Sequence, residues 1–152
     1  MNNQFELTEQ PLQPTLSIRT NTSVDKLPQE IGKAYHAIMA YLNEIGEEPS
    51  DVPFVAYYNL DMDNLDVEMG FPVSKNISGK GEIKPNAIPA GKKVSCMYKG
   101  PYKEMGPVYE AMTQWIHQNG YVPSGVAYEF YYNAPADVPE SELLTKIVFP
   151  LK

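Results

Sequence analysis

Apolar and polar positions along the chain follow two periods. From about Lys26 to Ile45, apolar residues fall at Ile31, Ala34, Tyr35, Ile38, Leu42 and Ile45. That spacing is one face of an amphipathic helix. Pro28 suits its first turn and Gly46 its end. A second helix is expected from about Tyr102 to Asn119, with Met105, Val108, Tyr109, Met112 and Ile116 as its apolar stripe, Trp115 beside it and Gly120 closing it. Strands are expected at Phe5–Leu7, Leu16–Thr20, Phe54–Asn59, Val67–Val73, Val94–Tyr98, Tyr128–Asn133 and Glu142–Leu151, where β-branched and aromatic residues cluster. Glu9–Pro14 reads as a break, Asp61–Asp66 as a polar turn, and Ser74–Lys93 as an aperiodic linker rich in Lys, Gly, Pro and Asn.

The pattern repeats. Phe54-Val55-Ala56-Tyr57-Tyr58-Asn59 matches Tyr128-Glu129-Phe130-Tyr131-Tyr132-Asn133. At the same spacing Gly32 meets Gly106, Tyr35 meets Tyr109, Ala37 meets Ala111 and Gly46 meets Gly120. Phe71-Pro72-Val73 matches Phe149-Pro150-Leu151 at a spacing four residues longer, which places the extra residues in the later hairpin loop. The expected fold class is α+β: two pseudo-symmetric strand-helix-strand-strand repeats packed with a ligand groove between them. The expected layout is one domain over residues 1–152, with repeat one at about 1–74, a linker at about 75–92 and repeat two at about 93–152.

Within the second repeat, Glu129 stands out. Side chains alternate across a strand, so Glu129 and Tyr131 share one face, and Tyr128, Phe130 and Tyr132 share the other. The first repeat carries Val55 at this position, so the architecture does not require a charge there. A carboxylate in an apolar wall is costly unless it is paired, protonated or met by a cationic ligand. A structural partner such as Lys146 on the neighbouring strand is the alternative.

Composition narrows the functions. The formal net charge of −7 argues against nucleic acid, which needs phosphate neutralisation. The single cysteine, Cys96, excludes an internal disulfide, fits a reducing compartment, and lies in an apolar strand where burial is expected. The start Met1-Asn2-Asn3-Gln4-Phe5-Glu6 shows no signal peptide, and no apolar run reaches the roughly 20 residues that span a bilayer. The expectation is a cytoplasmic protein with no membrane partner and no direct nucleic-acid binding. His36 and His117 sit on helices at non-equivalent positions and make no metal cluster with one cysteine. Asp61-Met62-Asp63-Asn64 lacks the glycine and spaced glutamate of a calcium loop. No Gly-rich phosphate loop and no nucleophile elbow are present, so neither a metal nor a cofactor is expected.

Five stretches carry a resemblance. Ile88-Pro89-Ala90-Gly91, Tyr98-Lys99-Gly100-Pro101-Tyr102 and Trp115-Ile116 with Gly120 are followed by Tyr128-Glu129-Phe130-Tyr131 and Ile147-Val148-Phe149-Pro150-Leu151. In order and spacing the chain resembles the GyrI-like small-molecule-binding domain, the effector-binding domain of multidrug-responsive transcription regulators, over nearly its whole length and in a stand-alone form. The resemblance implies that Glu129 meets cationic, aromatic or lipophilic ligands, and that Glu142 occupies a second acidic position on the following strand.

Three functions remain open. The first is a binding protein for hydrophobic, cationic or aromatic small molecules. Glu129 would supply charge, and Tyr131, Tyr57, Tyr98, Tyr102 and Trp115 are candidate ring walls, a cation over a ring gaining about 0.5–2 kcal/mol. Tyr35 and Tyr109, on helix stripes, read as core. The second is a hydrolase of strained electrophiles with Glu129 as catalytic acid or base. The third is a protein-interaction module, such as a gyrase-binding inhibitor.

Overall fold

The computed structural model describes residues 4–152. Met1 to Asn3, the start of the stretch read for a signal peptide, lie outside the described residues. The chain is mixed α and β, with every register-assigned strand pairing antiparallel. No helix is long and apolar enough to cross a membrane. By its contacts the chain divides into two compact units. One runs from Pro11 to Ala90, and the other joins Gly91–Lys152 to residues 4–10.

The Pro11–Ala90 unit contains β2 (Gln13–Thr22), α1 (Leu27–Glu44), β3 (Phe54–Tyr57), β4 (Leu65–Pro72) and β5 (Lys84–Ile88), if β1 is reserved for Glu6–Gln10 at the start of the chain. Its strands lie in the order β5-β2-β4-β3. Ile38 and Leu42 of α1 pack on Leu16, Phe71, Val73, Ile77 and Ile83. Each such side chain, fully buried, contributes about 1.5–3 kcal/mol. Gly70 on β4 is required by space. A Cβ there would stand 2.3 Å from the Leu16 carbonyl oxygen.

The other unit contains β1, β6 (Gly91–Lys99), α2 (Gly106–Gln118), β7 (Ala127–Tyr131) and β8 (Leu144–Pro150), in the strand order β1-β6-β8-β7. Val108, Met112 and Ile116 of α2 pack on Val94, Cys96, Tyr98, Ile147 and Phe149. Alternation along β6 explains the partition: Val94, Cys96 and Tyr98 face the helix, while Met97 is half exposed.

Five local expectations are corrected. The supposed linker Ser74–Lys93 holds β5 and the start of β6, because β2 offers it a pairing edge from Gln13↔Ile88 to Ser17↔Lys84. The break at Glu9–Pro14 shrinks to Pro11 and Leu12, since β1 and β2 extend to Gln10 and back to Gln13. Glu6–Gln10, expected with the first repeat, pair instead with β6, from Glu6↔Ser95 to Gln10↔Gly91. The second helix starts at Gly106, preceded by a 3-10 turn at Tyr102–Glu104, with Pro107 seated in its first turn, where a missing N–H costs no helix bond. Ile45, placed on the helix stripe, caps α1 and is 41% exposed.

The hairpin turns are fixed by asparagines. Asn59 Oδ1 accepts from Asp66 N at 2.9 Å, and its Nδ2 donates to the Asn64 carbonyl at 3.0 Å. In the other unit Asn133 Oδ1 accepts from Leu144 N at 2.9 Å, and its Nδ2 donates to the Glu142 carbonyl at 3.0 Å. These clamps set the same local register in each hairpin, Val55↔Met69 in one and Glu129↔Ile147 in the other. The later loop absorbs its extra length in a 3-10 turn, Glu140–Glu142.

Candidate functional site

The register of β7 on β8 fixes which way Glu129 faces. Glu129 opposes Ile147, a member of the α2 core, so its carboxylate lies on the helix side of the sheet. It is 9% exposed. Lys146, the alternative structural partner, opposes Phe130 and therefore belongs to the other face. Among the described residues no cation pairs with Glu129.

What reaches the carboxylate is a pair of phenols. Tyr131 Oη, two residues along the strand, donates to Oε1 at 2.8 Å, and Tyr109 Oη, from α2, donates to Oε2. Burial pushes the Glu129 carboxyl above its ordinary range, and the two hydrogen bonds pull partly back. Tyr102, in the 3-10 turn, sets its ring edge-on to Tyr131 with centroids 5.7 Å apart. Burial and then the charge of Glu129 hold its phenol above the usual value. At 39% exposure, Tyr102 forms the solvent side of this cluster. The arrangement is a desolvated carboxyl flanked by rings, able to meet a cation or to hold a proton.

Of the candidate residues, the structure brings Glu129, Tyr131 and Tyr102 together. Tyr98 is 4% exposed, belongs to the α2 core and donates its hydroxyl to the Pro101 carbonyl at 2.7 Å. Trp115 packs against the same core and meets Phe5 edge-on at 6.3 Å. Glu142 lies exposed in the 3-10 turn before β8, and its carbonyl serves the Asn133 clamp. Tyr57 is half-buried on β3 of the Pro11–Ala90 unit. His36 and His117 are exposed, Cys96 is 2% exposed, and the described residues hold no group of three or more metal-ligating side chains.

Sequence reasoning missed Tyr109, which it gave to the core. The residue does both jobs, meeting Phe149 edge-on at 5.3 Å while its hydroxyl holds Glu129. Its match with Tyr35 hid the difference, because the Tyr35 hydroxyl donates to the Phe54 carbonyl instead. A second buried carboxylate, Glu68, was also missed. It is 4% exposed and accepts from Ser17 Oγ, Tyr58 Oη and Asn86 Nδ2. Arg19 lies 3.8 Å over the Tyr58 ring while holding Asp66 in a two-toothed ion pair. Glu68 accepts from three neutral side chains, whereas the described residues give Glu129 two.

The chain matches the model of the family described as GyrI-like small molecule binding domain over residues 3–152. No curated protein sequence matches it. Among solved structures it is similar to the EcmrR C-terminal domain, with 25% identity and a TM-score of 0.77, covering 100% of this chain and 99% of that one. It is also similar to EcmrR in a DNA complex, with 24% identity and a TM-score of 0.78, covering 99% of this chain and 57% of that one. The chain thus spans a little over half of EcmrR as seen in that complex. SAV2435, solved with tetraphenylphosphonium bound, shares the fold at 13% identity and a TM-score of 0.64, over 98% of this chain and 94% of that one.

Proposed function

The chain belongs to the GyrI-like small molecule binding domain family, and from that premise we propose that its Glu129 site binds hydrophobic cations, with aromatic ones favoured. One observation carries the reading: a carboxyl nine-tenths buried, in a position where valine satisfies the equivalent hairpin, is met by two neutral phenols and no cation. Such a group is poorly solvated when ionised, so a cation entering beside it recovers charge pairing that water does not supply. Tyr131 and Tyr102 offer ring surface, and Tyr109 positions the carboxylate from the helix. The likeness in fold to a protein solved with a lipophilic phosphonium is consistent with this ligand class. In a family that includes the effector domains of transcription regulators, the ligand is read as an effector.

The test is a thermal-shift comparison of methyltriphenylphosphonium with neutral triphenylphosphine oxide. At a hundredfold excess over Kd a binder adds about 2.7 kcal/mol of native stability. The expected result is a shift for the cation in wild type that is lost in Glu129→Gln. Equal shifts for both compounds, unaffected by the substitution, would overturn the reading.

A second reading rests on the same carboxyl. With burial pushing its carboxyl above the ordinary range and two phenols orienting it, Glu129 has the form of a general acid or base, and the wild-type protein would then consume a strained electrophile that Glu129→Gln leaves intact. An unchanged electrophile concentration with wild type excludes it.

A further inference from the structure

Two buried side-chain groups among the described residues have no hydrogen-bond partner: the hydroxyls of Thr15 and Thr145. Thr15 alternates with Leu16 of the α1 core and so faces away from that helix. Thr145 is different. It is fully buried, on β8, opposite Tyr131 on one side and Tyr98 on the other. Residues directly opposite in an antiparallel pair share a face, with Cβ atoms about 4.5–5.5 Å apart. Thr145 therefore lies on the same face as Tyr131 and Glu129, and Glu129 is its diagonal neighbour, at roughly 7–8 Å between backbones.

The comparison between hairpins sharpens this. The pair Tyr131↔Thr145 has as its counterpart Tyr57↔Val67, just as Glu129↔Ile147 has Val55↔Met69. Val67 is fully buried. Valine and threonine have nearly the same shape, so the architecture is content with a methyl where Thr145 carries a hydroxyl. The β7–β8 hairpin thus departs from its counterpart by placing two polar groups on one buried face, a carboxyl and a hydroxyl. The carboxyl is met by phenols; the hydroxyl is met by nothing among the described residues. An unpaired buried hydroxyl destabilises the free protein, and a bound molecule that hydrogen-bonds to it recovers that loss.

We propose that Thr145 is a specificity-determining contact of the Glu129 site, selecting aromatic cations that also carry a hydrogen-bonding group one ring-width from the charge. The proposal rests on the reading of Glu129 as the cation-binding group. The charge recognises the class, and the hydroxyl distinguishes among its members. A pocket built to hydrogen-bond a ligand group rejects the analogue lacking it, because its own polar group is then left unpaired.

The experiment is calorimetric titration of phenyltrimethylammonium and 3-hydroxyphenyltrimethylammonium into wild type, Thr145→Val, Thr145→Ser and Glu129→Gln. Wild type is expected to prefer the hydroxylated cation about tenfold. Thr145→Val should lose that preference while holding the plain cation within about twofold, and Thr145→Ser should keep it. Free Thr145→Val should melt at or above wild type, since the change removes an unpaired hydroxyl and leaves the packing that Val67 already shows. Two results overturn the proposal alone: cation binding through Glu129 with no preference in wild type, or a preference that survives in Thr145→Val. A lower melting temperature for Thr145→Val also overturns it, by showing that the hydroxyl serves the fold. Failure of either cation to bind wild type overturns it together with the reading of Glu129.

Discussion

Tyr131 Oη donates to Glu129 Oε1 at 2.8 Å, from two residues further along the same strand. The bond favours the ionised carboxyl, as does that from Tyr109. Tyr131→Phe or Tyr109→Phe should therefore raise the titration midpoint of Glu129. Each should weaken a lipophilic cation about two- to tenfold at neutral pH, the range of one net hydrogen bond. Carboxyl carbon-13 shifts of labelled glutamate followed against pH check the midpoint.

Charge at position 129 separates ligand classes. Glu129→Gln keeps the shape and removes the charge, so affinity for a lipophilic cation should fall about 10- to 100-fold, the range for a charge-assisted contact. A neutral isostere should change by less than about threefold. Titration calorimetry with a matched pair decides this.

Stability of the free protein carries a pH signature. The folded carboxyl of Glu129 titrates above its unfolded value, so between the two the native state holds more protons than the unfolded chain. Its contribution is most favourable below the unfolded pKa and is lost as pH rises through the folded one. Glu129→Gln should consequently gain stability over wild type as pH rises from about 4.5, then keep a constant advantage. Urea melts across this window measure it.

Glu68 should behave otherwise. Its donors are structural, so Tyr58→Phe should cost about 1 kcal/mol, or roughly 2–4 °C in Tm. The ligand-induced shift on top of that lower Tm should remain unchanged. A loss of cation binding in Tyr58→Phe would show that Glu68, too, serves the ligand.

Cys96 should be inert while the protein is folded. It is 2% exposed, and burial pushes its thiol above the ordinary range, which depletes the reactive thiolate. Labelling by a disulfide reagent should follow the rate of unfolding and reach one thiol per chain in denaturant.

The legible parts of this chain are those with strong local signals. α1 was fixed by its apolar spacing, with Pro28 inside its first turn, and the face shared by Glu129 and Tyr131 followed from alternation alone. β5 was not legible, because Lys84, Pro85 and Asn86 carry no strand signal; they pair because β2 presents an open edge. The attachment of β1 to β6 was hidden for the same reason, since sheet edges join residues distant in sequence. In the site, Glu129 announced itself by standing where the matching stretch of sequence, Phe54–Asn59, carries a valine, Val55. Thr145 replaces another, Val67, but threonine is common in strands and its burial without a partner is visible only in three dimensions. Tyr109 was misread because a helix-stripe aromatic is ordinarily core, and its hydroxyl reaches across to a carboxylate that lies on a different element.

The most direct measurement is the proton count on cation binding. A lipophilic phosphonium is titrated calorimetrically into wild type and Glu129→Gln in buffers of different ionisation enthalpy, from about pH 5 to 8. Burial pushes the free Glu129 carboxyl above the ordinary range, and a cation favours its ionised form. Binding to wild type should therefore release up to one proton at the acid end, with release fading and affinity rising as pH increases. Glu129→Gln should bind weakly and release none. Cation binding with no proton release at any pH, or with the same release in Glu129→Gln, would contradict the assignment of Glu129 as the group that meets the ligand.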